Sequence, residues 1–146
     1  MKSRLHPIYN ARLTMNSSQI VDGQTNTDRT EYDACYTFRD GTFTLEFMEQ
    51  GSTPAESVRT RIICDSPDAV TISRRGGCNA EMHIVPQQDH DCDYETAVGT
   101  LALTVRGVEI KSRLTEQGGI LRLKYQLLSA GNPVSENTVS LHIKRK

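Results

Sequence analysis

Some charged side chains in this sequence stand where strand faces should be apolar, and others repeat along faces that should be wet. Glu49 shares the parity of Phe43, Leu45 and Phe47, and Arg74 shares that of Val70 and Ile72. Successive strand side chains alternate between faces, so both charges are expected to point inward. Tyr94 and Thr96 fall on an inward parity too, with Tyr32, Met82 and Tyr125 lining the same interior. A carboxylate and a guanidinium withdrawn from water must be paired and hydrogen-bonded, or ionisation costs several kcal/mol each. Paired, they suit a small polar ligand at the mouth of a barrel: Arg74 supplies charge and a planar donor fork, Glu49 holds it, and the hydroxyls orient the ligand. The competing reading is a structural ion pair that plugs one end, with tyrosine hydroxyls satisfying the leftover lone pairs. An enzyme using Glu49 as acid or base is a third reading, and it requires an open pocket.

Two outward patterns accompany this set. Asp89, Asp91, Asp93 and Glu95 form a comb of acids on alternate residues. It fails as a calcium loop, because Tyr94 stands where glycine is needed and Thr100 where the last glutamate should be. It reads as a solvated, aggregation-resistant strand surface. A basic stripe comes from Lys111 and Arg113 facing Arg122 and Lys124 across a hairpin closed at Glu116–Gly119, with Lys144, Arg145 and Lys146 available to extend it. Like charges across strands repel. The stripe therefore calls for phosphates, an acidic partner, or neighbouring acids such as Glu46 or the comb, inside one barrel or across a homodimer. It lacks the exposed aromatics of a single-strand platform, which argues against nucleic acid. His83, His90, Cys78 and Cys92 have no metal-site spacing, so no metal or cofactor is expected. No serine or histidine sits in a nucleophile motif, and phosphate-loop and dinucleotide fingerprints are absent, so no catalytic residue is assigned.

The elements that position these residues are strands. Residues 8–20 alternate weakly through Ile8, Ala11, Leu13 and Met15, and the polar run Ser17–Asp28 reads as a loop. Asp40-Gly41 marks a two-residue hairpin turn. It sets Phe38 opposite Phe43, Tyr36 opposite Leu45 and Ala34 opposite Phe47. Val58–Cys64, Ala69–Arg75 and Asn79–Val85 follow, with Ala80, Met82 and Ile84 inward. Next come the runs through Tyr94, Thr96 and Val98, through Leu101, Leu103 and Val105, and then, after a break at Arg106-Gly107, Val108 to Leu114. Leu121–Leu127 and Thr138–Lys144 complete the chain around a loop at Gly131-Asn132-Pro133. No segment has helical spacing. Nine or ten strands joined by tight turns predict an all-β fold, an antiparallel up-and-down meander barrel whose closure removes exposed edges.

Composition sets the outer limits. With 146 residues the chain forms one domain, 1–146, and its net charge of −1 excludes a polyanion or a nucleic-acid sponge. Charge is uneven, seven acids to two bases over 22–50 and seven bases to three acids over 107–146. No apolar leader and no run of membrane-spanning length is visible, and the four cysteines have no CxxC spacing. The expectation is a soluble cytoplasmic protein with reduced thiols.

Motifs spread over the whole chain resemble one family. They are Gly41 onward into LEFMEQG, VTISRRGG with Arg74 and Gly76, inward Met82, YETAVGTLALTV with Tyr94, Thr96 and Gly99, and GILRLKYQLLSAG. From Tyr9 to Ile143 their order is similar to that of the YwiB-like set of small bacterial proteins, a calycin-like β-barrel domain of unknown function. The resemblance implies a barrel shaped like lipocalins and hands over no activity. Lipocalins carry a Trp near their first strand and this chain has none, so a lipocalin-type ligand is not implied. The residues favour a module that binds a small molecule in its interior. The alternative is an interaction protein with a filled barrel and charged outer faces.

Overall fold

The computed structural model describes residues 9–146; Ile8, expected in the first strand, lies outside them. Ten strands form one antiparallel sheet. They are β1 (Ala11–Val21), β2 (Gln24–Arg39), β3 (Thr42–Glu49), β4 (Val58–Ser66), β5 (Ala69–Gly76), β6 (Ala80–Ile84), β7 (Asp89–Thr96), β8 (Gly99–Thr115), β9 (Gly118–Ser129) and β10 (Asn132–Arg145). Each pairs with its neighbour in sequence except β6 with β7, and β1 ladders against β10 from Ala11↔Arg145 to Ile20↔Glu136. The meander curls into a nearly closed barrel.

Its seam lies in mid-chain, between β6 and β7. There Asn79 and Glu95 exchange two backbone hydrogen bonds of 2.9 and 2.8 Å. At the other end of the seam the connection after β6 crosses β8 at Gly107. A Cβ there would stand 2.2 Å from the Val85 carbonyl oxygen, so the crossing requires glycine.

The expected hairpin of β2 and β3 forms in the expected register, Phe38↔Phe43, Tyr36↔Leu45 and Ala34↔Phe47. Leu13, Tyr36, Leu45, Ile84, Leu121, Leu123 and Leu141 fill the core. Four expectations change. Ser17–Asp28 is not a loop: it is the far half of a β1–β2 hairpin that turns on Asp22-Gly23, with φ of 51° and 76°. Both faces of this stretch are largely exposed, so no alternation advertises it. Arg106-Gly107 does not separate two strands; β8 is a single 17-residue strand with a bulge between Gly107 and Glu109, which turns Val108 outward. The β8–β9 turn is Glu116-Gln117, so Lys111 faces Arg122, Glu109 faces Lys124 and Arg113 faces Ile120. Finally, the last connection is the tight turn Ala130-Gly131, and β10 begins at Asn132 with an irregularity between Pro133 and Ser135.

Candidate functional site

One end of the barrel gathers the inward polar residues. Glu49 is the last residue of β3, Arg74 lies near the end of β5, and Tyr94 lies near the end of β7. The strands run alternately up and down, so these three positions reach the same rim. Arg74 Nη2 donates to Glu49 Oε2 at 2.9 Å, and Arg74 Nη1 donates to the Tyr94 hydroxyl at 2.8 Å. Thr60 Oγ1 donates to the same Glu49 oxygen at 2.5 Å. Glu49 Oε1, the Arg74 Nε–H and the Tyr125 hydroxyl carry no hydrogen bond among the described residues.

Both charged side chains are 25% exposed, so the pair is neither solvated nor sealed. Burial by itself would lower the guanidinium pKa of Arg74; Glu49, Tyr94 and Cys78 more than offset it and raise the pKa above its ordinary value. Burial, with the Cys78 thiol 3.5 Å away, pushes the Tyr94 phenol up to about 12. Tyr125 is also raised by burial, against the opposing pull of Arg74, and Tyr32 is raised by burial and by the charge of Glu49. All three phenols therefore stay protonated near neutrality.

Behind this rim lies a cavity of about 150 Å³. Phe47, Ile62, Ile72, Met82, Leu123 and Val139 give it an apolar floor, while Glu49, Thr60, Arg74, Tyr125 and Ser17 give it a polar lid. Of the residues expected at the site, Glu49, Arg74, Met82 and Tyr125 line the cavity. Tyr94 stands beyond Arg74 and fixes its fork. Tyr32 packs its ring on Phe47, centroids 4.7 Å apart. Thr96 is outside the group: its Oγ1 donates to the Gly99 carbonyl at 2.9 Å and accepts from the Val98 amide at 3.3 Å, which makes it a turn residue at the β7–β8 tip. Thr60 was missed as a member. It faces both Phe47 and Arg74 in the ladders, and an inward threonine opposite an inward arginine was the available signal.

The outward sets lie elsewhere. The comb is exposed along β7, where Asp89 takes a two-pronged contact from Arg106 at 2.9 and 3.0 Å. The stripe occupies the outer face of β8 and β9. His83 and His90 approach across the seam with ring centroids 5.9 Å apart, while Cys78 sits beside Tyr94 and Cys92 is buried.

The motifs quoted above and this geometry converge on one comparison. Residues 13–141 match the family described as Domain of unknown function (DUF1934). The chain belongs to that family. The crystal structure of the ywiB protein from Bacillus subtilis superposes with a TM-score of 0.83 at 17% identity, covering 94% of this chain and 92% of that one. At that identity the likeness establishes the barrel and nothing of its chemistry. No curated protein matches the sequence. Among the described residues no helix is long and apolar enough to cross a membrane.

Proposed function

We propose that this DUF1934 barrel is a cytoplasmic binding module that takes a small molecule with an apolar body and one polar head. The observation that carries the reading is the cavity of about 150 Å³ set directly beneath the Glu49–Arg74 pair. An apolar cavity of about this size accepts a benzene-sized body. The polar lid offers such a molecule both signs of hydrogen bond: Arg74 Nε–H and the Tyr125 hydroxyl as donors, Glu49 Oε1 as acceptor. Thr60, Tyr94 and the ion pair hold Glu49 and Arg74 in place before any ligand arrives, which limits the ordering cost of binding. Ion pairing occupies the other carboxylate oxygen of Glu49, so the geometry favours holding a ligand over transferring its protons.

Native mass spectrometry of protein purified gently from its own cells tests the reading. An added small mass is expected on the parent chain and absent from both Arg74→Ala and Val139→Phe, the latter filling the floor without touching a charge. A clean apo mass, combined with no amide shifts at Thr60, Arg74 or Tyr125 in a fragment screen by NMR, would overturn it.

A further inference from the structure

We propose that the outer face of β7, β8 and β9 is a homodimer interface, on which the acid comb of each copy docks against the basic stripe of the other. The two patches share one sheet face and lie at opposite ends of it. On β7 the acids Asp91, Asp93 and Glu95 stand opposite Thr104, Ala102 and Thr100, so the ladder supplies them no cation. Beyond the bulge the sign reverses: Lys111 stands directly opposite Arg122, and Arg113 opposite Ile120. Lys111 reaches Glu109 at 3.7 Å, but Arg113, Arg122 and Lys124 form no ion pair among the described residues. The acids of β7 are therefore a run of like charges, and the stripe sets four cations against the single acid Glu109, an excess of one sign that destabilises the isolated chain.

Between the patches lies an internally neutralised pair, Asp89 with Arg106. A two-fold axis in the plane of the face, passing near that pair, places the comb of each copy on the stripe of the other. The contact is isologous and closes on itself, so it makes dimers and not fibres. The ground near the axis is suited to contact: Val108 is 40% exposed and stands at the edge of a groove of about 270 Å³ that runs past Lys124 and Gln126 toward Ile20 of β1 and Glu136 of β10. Ile120 adds apolar surface inside the stripe at 43% exposure. A foreign acidic chain would satisfy the stripe and leave the comb unanswered. A second copy answers both. Exposed ion pairs add little affinity but set register and encounter rate, so the dimer should be weak and salt-sensitive.

Sedimentation velocity on the full chain, at about 0.05 M and about 0.5 M salt, reads this directly. The parent chain is expected to dimerise at low salt and dissociate at high salt. Asp91→Lys with Asp93→Lys in one chain, and Lys111→Glu with Arg122→Glu in another, should each be monomeric under the dimerising condition. An equimolar mixture of the two should recover a dimer, because one of its two contacts is then native and the other is reversed in both partners. All four positions face outward, and circular dichroism of each variant confirms the fold. A parent chain that stays monomeric at low salt, a dimer indifferent to salt, or a mixture that remains monomeric overturns the proposal.

Discussion

The two ends of the barrel each place a tyrosine among buried groups, and they use it differently. At the end formed by the β2–β3 and β8–β9 turns, Tyr36 is 0% exposed and its hydroxyl donates to the Thr115 carbonyl at 2.7 Å. Phe43 packs beside it at 6.3 Å between centroids, and Leu13, Leu45 and Leu141 complete the packing. At the opposite end Tyr94 accepts from Arg74, Arg74 holds Glu49, and a cavity remains beneath them. One end is closed by close-packed apolar atoms with a single satisfied hydroxyl. The other carries a charged network over a cavity of about 150 Å³, where the lining atoms have fewer packing partners than at the first end. The first end is closed by packing, and the second holds the cavity on which the proposed binding function rests.

The largest expected effect lies at the packed end. Leu13→Ala removes a wholly buried side chain paired with Ile143 and Tyr32, and should cost about 2–5 kcal/mol in urea unfolding. Breaking the ion pair should cost less. Arg74→Met leaves the Glu49 carboxylate with Thr60 alone, yet a quarter of each side chain already meets solvent. A loss of about 1–3 kcal/mol is expected, below the ~3–5 kcal/mol of a fully buried pair. Adding Glu49→Gln to Arg74→Met should recover part of it, and a double-mutant cycle gives the coupling. If Arg74→Met proves as damaging as Leu13→Ala, the polar end is a structural plug and the contrast between the ends collapses.

The packed end was legible from sequence and much of the polar end was as well, for one shared reason. Where a strand has one dry face, parity assigns every side chain, and a single turn such as Asp40-Gly41 then fixes the register. That logic places Glu49 and Arg74 inward from the sequence alone. It failed where both faces are wet. The β1–β2 extension through Ser17 and Asp28 rises beyond the core, so its Asp22-Gly23 turn was hidden in a uniformly polar run. It failed again at the β7–β8 tip, where Val98 is 98% and Leu101 57% exposed despite apolar side chains. There Thr96 has the right parity and the wrong height. Parity reports the face of a sheet but not the distance along the barrel axis. The β8 bulge is invisible for a related reason: the demand for Gly107 comes from the distant Val85 backbone, not from its own neighbours.

The smallest effect is the one that separates the ends most directly. Tyr36 and Tyr94 both have phenol pKa values raised to about 12 from 10.0, chiefly by burial. A group whose folded pKa exceeds its unfolded pKa contributes nothing to pH dependence below the unfolded value. As pH climbs from 10 to 12 the unfolded chain releases a proton that the folded chain retains, so stability falls across that window. Tyr94→Phe and Tyr36→Phe should each flatten the fall in melting temperature between pH 10 and 12. They should differ below it. Tyr36→Phe leaves the Thr115 carbonyl without its donor and should cost about 1 kcal/mol at neutral pH. Tyr94→Phe removes an acceptor from an arginine that keeps Glu49, and should cost less. Should Tyr94→Phe leave the alkaline slope unchanged, its hydroxyl is already solvated in the native barrel and the polar end is more open than this geometry places it. A slope unchanged in Tyr36→Phe would instead mean that the packed end admits water, and then the two ends would no longer differ in kind.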